Sequence, residues 1–248
     1  MFVLLSPAKK LQQGPIGTTI PHFLEESLAI ADKLKTFSHS ELHQLLHTSQ
    51  KITEQNIQRY QSFSKAQLMH EGSAAIMTYA GDVYRYFNPQ QFDASEQEYI
   101  QSHFGIITGL YGLLRPFDKM LPYRLEMKNK LLIDNTLLTH YWHQRLAQYL
   151  SQERLAPNTP VIMLASNEYS AAIDNQTLNI IQVDFKERRD NTLKTIAVNA
   201  KRARGMMAAY IVKTKPQCIQ DLHGFDDGGY RFVPDQSTYS HLLFVRDA

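Results

Sequence analysis

A single cysteine, Cys218, stands among 248 residues. That scarcity excludes an internal disulfide and a thiolate metal cluster within one chain. A one-cysteine redox sensor needs a lowered thiol pKa and a resolving partner. The neighbourhood Pro-Gln-Cys-Ile-Gln supplies only Lys215 as a nearby cation, so the thiol is read as incidental. Long hydrophobic runs are also missing: none approaches the roughly twenty residues that cross a bilayer, and no membrane partner is expected. The N-terminal MFVLLSPAKK places a five-residue apolar run ahead of its positive charges. A secretion signal has the reverse order, so a cytoplasmic location is expected. No nucleotide-binding glycine loop, zinc motif or nucleophile triad occurs, and the chain implies no cofactor. No repeat, low-complexity segment or linker divides it.

What remains is the composition of an ordinary folded protein, 43% hydrophobic and 20% charged, long enough to bury a substantial core. The net charge of +2 conceals an asymmetry. Residues 186–215 hold nine Lys or Arg against two acidic residues, net +7, while the rest of the chain is net −5. A block of one sign inside a mildly acidic chain suggests an anionic partner for that face. Within it, residues 199–212 have the pattern of a helix whose first half carries Lys201, Arg202 and Arg204. The helix dipole prefers acids there, so three cations at that end point to a bound anion. A solvated basic face is the alternative. Lys186 belongs to the same block, at the end of a β-rich run.

Four short apolar runs, at 1–6, 74–79, 105–108 and 161–165, read as buried strands. Each is followed by a distinctive segment: SPAK, GDVY, GLYGLLRP and SNEY. Strand ends of one sheet gather such segments into a cleft, where Lys9, Asp82, Arg115, Glu168 and Lys186 could meet. Glu168 is the best general-base candidate, with Lys9 and Asp82 as companions. Ser6 adds a hydroxyl. Turns and helix caps use the same residue types, so each segment also has a purely structural reading. The stretch 109–127, GLYGLLRPFDKMLPYRLEM, shows neither helical nor strand periodicity, because Pro116 and Pro122 interrupt both. Its Arg115 and Arg124 can fork onto phosphate or carboxylate, and Asp118 and Glu126 are equally suitable internal partners. Tyr111 and Tyr123 beside them could stack on unpaired bases.

Residues 22–36 have one apolar face and read as an amphipathic helix. Ser38 and Glu41 form a capping box that opens a second helix, and a third follows a short turn carrying Lys51. Two short helices around a tight turn resemble a helix-hairpin-helix, which grips DNA phosphates through hairpin backbone N–H groups, although the usual hairpin glycine is absent. His39, His43 and His47 share one helix face, but no carboxylate joins them on that stripe, and no metal site is expected. Ser95 and Glu98 form another capping box. Residues 136–150 read as a helix with Trp142 in the core, and 230–233 with 241–245 as a last hairpin at the sheet's edge. The expected fold is α/β: one mixed-sheet domain over 1–248 with a small helical insertion at about 21–70.

SPAK, GDVY, the 109–127 stretch, ASNEY at 165–169 and AKRARGMMAAYI at 200–211 resemble, in order and from end to end, the YaaA family of bacterial peroxide-stress proteins. The resemblance implies a cytosolic protein associated with limiting free iron under hydrogen peroxide and with binding DNA. It favours an external anion for at least one of Arg115 and Arg124. The first expectation is therefore a protein that binds DNA, duplex or distorted and with little sequence preference, through Lys51, Arg115, Arg124, Lys186, Lys201, Arg202 and Arg204. The alternative is an enzyme for a small anionic or nucleotide-like substrate at the strand-end cleft. A deep basic pocket with a perturbed carboxylate would favour the enzyme, and a groove as wide as a duplex would favour the DNA binder.

Overall fold

A computed structural model describes residues 1–173, 176–190 and 192–247. Eight strands form one sheet: β1 (Phe2–Leu5), β2 (Phe104–Thr108), β3 (Gly112–Leu114), β4 (Val161–Met163), β5 (Ile180–Arg189), β6 (Thr192–Lys194), β7 (Arg231–Phe232) and β8 (His241–Asp247). Their order is β7-β8-β5-β4-β1-β2-β3, with β6 added beside the far end of β5. The inner five are parallel, and β3, β6 and β7 attach antiparallel. Both faces of a parallel sheet are covered, so its strands need no polar alternation. That explains why Phe2–Leu5 and Phe104–Thr108 are buried at every position. The mixed α/β class expected from the sequence is the one observed, around one continuous hydrophobic core.

The order contains a topological switch. From β1 the chain moves to β2 on one side; after β3 it returns to β4 on the other. The carboxyl ends of β1 and β4 lie side by side, with Leu4 opposite Met163 and the Leu164 N–H bonded to the Leu4 carbonyl at 3.0 Å. In open α/β sheets such a point is where ligands sit, because the connections diverge and leave a crevice.

Helices α1 (Leu24–Lys35), α2 (His39–Leu46), α3 (Gln50–Ser62) and α4 (Lys65–Glu71) follow one another as the helical insertion. Ser38 and Glu41 make the expected capping box. His47, in the left-handed region at φ 50°, ends α2 where a glycine is usual. The insertion buttresses the 109–127 stretch and the turn after it: the Tyr60 hydroxyl donates to the Arg124 carbonyl at 2.8 Å, and Asn129 Nδ2 to the Leu45 carbonyl at 2.8 Å. Downstream come α5 (Asp82–Phe87), α6 (Ala94–His103), α7 (Leu138–Gln148), α8 (Asn167–Ser170) and α9 (Ala197–Thr214). Trp142 on α7 is fully buried and donates from its indole N–H to the Gly109 carbonyl at 2.9 Å, so it is a core residue.

Several expectations change. Residues 74–79 are not a strand of the sheet: after Ser73–Ala74 the chain turns into a one-turn helix, Ala75–Thr78. The run is buried throughout, and burial without periodicity does not separate a strand from a helical turn. Asp82 therefore opens a helix instead of ending a strand. The cap of α6 is Asp93 with Glu96, two residues before the expected pair. The 109–127 stretch contains β3 and a short bridge to residue 73, because Gly112 at φ 64° permits the tight turn back onto β2. Finally, β8 is an interior strand parallel to β5, and only β7 lies at the edge.

Candidate active and binding cleft

At the switch point, SPAK and the start of SNEY are clasped directly. Ser6 Oγ accepts the Ser166 N–H at 2.8 Å and donates to Ser166 Oγ at 3.3 Å. Above them the Tyr84 hydroxyl donates to the Ser6 carbonyl at 2.8 Å, bringing in GDVY. A Cβ on Gly81 would lie 2.8 Å from the Ala8 Cβ, so only glycine permits that approach. Residues 123–126 close one wall and α9 the other. The enclosed cleft has a volume of about 310 Å³ and is lined by five cationic and three acidic side chains together with Tyr84, Tyr123 and Tyr169.

The electrostatic centre is Glu126, a residue that the sequence reading treated only as a partner for an arginine. Its carboxylate is 7% exposed and meets Lys9 Nζ at 2.8 Å, Arg124 Nη2 at 3.0 Å and Lys128 Nζ at 3.3 Å. Burial alone would push its pKa up, but Lys9, then Arg124 and Lys128, outweigh that and hold it below the usual glutamate range. Lys128 also reaches Glu168 Oε2 at 3.6 Å. The other oxygen, Glu168 Oε1, is buried without a hydrogen-bond partner among the described residues. Among the lining tyrosines, burial raises the Tyr123 phenol to about 12 and lifts Tyr84 and Tyr169 well above their ordinary value.

Helix α9 reaches the cleft because Gly205 lies against α5. A Cβ there would strike the Val83 carbonyl oxygen and come within 2.9 Å of the Tyr86 Cβ and 3.0 Å of the Phe87 nitrogen. The close crossing delivers Lys201 and Arg204 into the cleft wall. Arg204 is largely buried, and burial lowers its pKa. Its Nε is sealed from solvent, and no carboxylate among the described residues pairs with it; Asp184 acts only at a distance. An anion placed in the cleft would give this guanidinium the counter-ion that the described residues do not supply.

Of the residues expected to form a site, Lys9, Asp82, Arg124, Glu168, Lys201 and Arg204 all line this cleft. Asp82 is held by Arg85 at 2.6 Å. Arg202 is outside the lining, with its guanidinium over the Tyr86 ring at 5.6 Å. Three others lie outside its lining. Lys51 is exposed on α3, Lys186 is on β5, and Arg115 is committed to Asp118. Its Nε and Nη2 stand 3.0 and 2.8 Å from Asp118 Oδ1, and its backbone N–H donates to Oδ2 at 2.7 Å. Asp118 is fully buried, and burial raises its pKa despite these bonds. Arg115 therefore serves the loop's internal structure, the second of the two readings left open. Glu126 and Lys128 were missed. The spacing offered little signal, since Lys128 lies in a turn closed by the Asn129 N–H donating to the Glu126 carbonyl at 3.0 Å. Among the described residues no three His, Cys, Asp or Glu converge as metal ligands, and His43 Nδ1 instead meets Thr53 Oγ1 at 3.1 Å. No helix among them is long and apolar enough to cross a membrane.

The model of a family described as peroxide stress protein YaaA matches residues 1–236. A UPF0246 protein of Francisella tularensis subsp. holarctica is 36% identical over 257 residues, covering 99% of this chain and all of the relative. A UPF0246 protein of Dinoroseobacter shibae is also 36% identical, covering 99% of this chain and 95% of its own length. With that match over nearly its whole length and the five converging motifs accounted for, the chain belongs to the YaaA family of peroxide stress proteins.

Proposed function

We propose that this chain binds DNA across the mouth of the cleft and, in doing so, limits iron-dependent oxidative damage to DNA during peroxide stress. The observation that carries the reading is Arg204, a largely buried cation in the cleft wall without a carboxylate partner among the described residues. Lys201 in the same wall and Arg202 beside it extend the basic surface. A cleft of about 310 Å³ is not the duplex-wide groove that a DNA binder was expected to have; in this reading the duplex lies over its mouth and its phosphates meet α9. Affinity of this kind comes mainly from counter-ion release and falls steeply with salt, with little sequence preference. The experiment is binding of a labelled duplex at several salt concentrations, comparing the wild type with Lys201→Ala/Arg202→Ala/Arg204→Ala. Tight binding that the triple variant weakens supports the reading, and no binding near physiological salt removes it. For the iron arm, the protein is expected to slow nicking of plasmid DNA by ferrous iron and peroxide only where it binds that DNA.

A second reading is favoured by the carboxylates. Glu126 and Glu168, bridged by Lys128 and facing Lys9, give the cleft an acid–base array of the kind that an enzyme for a small anionic or nucleotide-like substrate would use. Glu168 is the candidate base, Lys9 and Arg204 the anion contacts. Turnover of a small phosphorylated compound that Glu168→Gln abolishes, without DNA binding, would select this reading.

A further inference from the structure

The mouth of the cleft suits phosphates, but its interior is built differently. Tyr84, Tyr123 and Tyr169 are among its lining residues, each more than nine-tenths buried. Three polar atoms of its lining residues are buried without a hydrogen-bond partner among the described residues: Glu168 Oε1, an acceptor, and Arg124 Nε and Arg204 Nε, donors. The volume, about 310 Å³, is at the lower end of small-molecule sites, which run from about 300 to 1,000 Å³. A space of that size is on the scale of one nucleotide and too small for a base pair. Aromatic surface, a carboxylate oxygen that accepts an amino N–H, and a guanidinium for phosphate are the groups with which proteins hold an unstacked base.

We infer that the cleft is a pocket for a single unstacked nucleotide whose base carries an exocyclic amino group, with the phosphate on Arg204, the ring against the tyrosines and the amino group donating to Glu168. This rests on the DNA-binding reading for the source of the nucleotide, an extrahelical residue in DNA; a free mononucleotide presents the same chemistry. In this arrangement the protein distinguishes damaged or bulged DNA from intact duplex by what enters the pocket, because a base that is already unpaired costs less to extract.

The test uses the full chain and five labelled ligands, each titrated directly and read by fluorescence anisotropy: a paired duplex, the same duplex with one bulged cytosine, with one bulged thymine, with an abasic residue at the bulge, and CMP. The cytosine bulge is expected to bind about tenfold more tightly than the abasic bulge, the size of one base–aromatic stack. Glu168→Gln, close to isosteric, is expected to narrow the ratio of cytosine to thymine affinities, because an amide both donates and accepts, and an unchanged ratio would overturn the assignment of the amino group to Glu168. Equal affinity for the cytosine and abasic bulges overturns the pocket but leaves the DNA reading intact if the paired duplex still binds. CMP binding without any DNA binding keeps the pocket and removes the DNA reading. Failure of all five ligands to bind overturns both.

Discussion

Gly205 is the residue on which the site most depends without touching a ligand. Replacing it with alanine sets two effects against each other. Glycine within an 18-residue helix is less favourable than alanine by about 1 kcal/mol, so propensity alone predicts a more stable protein. The new Cβ, however, would strike the Val83 carbonyl oxygen, with the Phe87 nitrogen at 3.0 Å and the Tyr86 Cβ at 2.9 Å. Two of these neighbours are backbone atoms of α5, and no rotamer change relieves them. Overpacking of this kind costs about 1–3 kcal/mol, and the backbone contacts place it near the top of that range. The net expectation for Gly205→Ala is a loss of about 2 kcal/mol, or roughly 4–8 °C in Tm for a chain of this size. Thermal unfolding followed by circular dichroism measures it. Because α9 must move away from α5, Lys201 and Arg204 shift with it, and DNA affinity is expected to fall at temperatures where the variant is still folded. An unchanged or raised Tm would show that α9 does not cross α5 as closely as described.

Arg115→Ala is expected to lower stability by about 3 kcal/mol, the lower end for breaking a buried ion pair, since the arginine itself is a third exposed. Denaturant titration measures that loss, and duplex affinity should be unchanged because Arg115 lies outside the cleft lining. Glu187 behaves differently with pH. Burial acts to raise its pKa, but Arg246 at 2.8 Å and Arg189 at 2.9 Å, with Asn199, overcome that and hold it at about 2. Its folded value lies below its unfolded one, so it contributes stability above about pH 4.3 that is lost as pH falls toward 2. Glu187→Gln should flatten the acid limb of the stability–pH curve between those values, and an unaltered limb would remove this role. Arg204→Met is expected to keep or raise the Tm, because it removes a buried cation that has no carboxylate partner among the described residues. A marked fall in Tm would mean that the guanidinium is satisfied within the fold.

The strands were legible where apolar runs were short and bounded, as at Phe2–Leu5, Phe104–Thr108 and Val161–Met163. Residues 74–79 misled because a buried run of six carries no period to distinguish strand from helical turn. The cleft was legible as a set of segments following elements, and Lys9, Asp82, Glu168 and the basic helix do meet there. What the sequence could not show is which charges satisfy one another. Arg115 and Arg124 look alike beside their prolines, yet Asp118 takes the first three residues later, while Glu126 gathers three cations from two segments more than a hundred residues apart. Glu126 stayed hidden because its role depends on Lys9, and that pairing arises only from the sheet's switch point. The same holds for Gly205, whose need for glycine comes from a neighbouring helix and not from its own φ.

The most direct test of DNA binding through the cleft is the salt dependence of duplex affinity for wild type and Arg204→Gln. If Arg204 neutralises one phosphate, the slope of log K against log[salt] should be shallower in the variant by about 0.9, with weaker binding at every salt concentration. An identical slope and affinity would show that Arg204 of α9 does not face DNA.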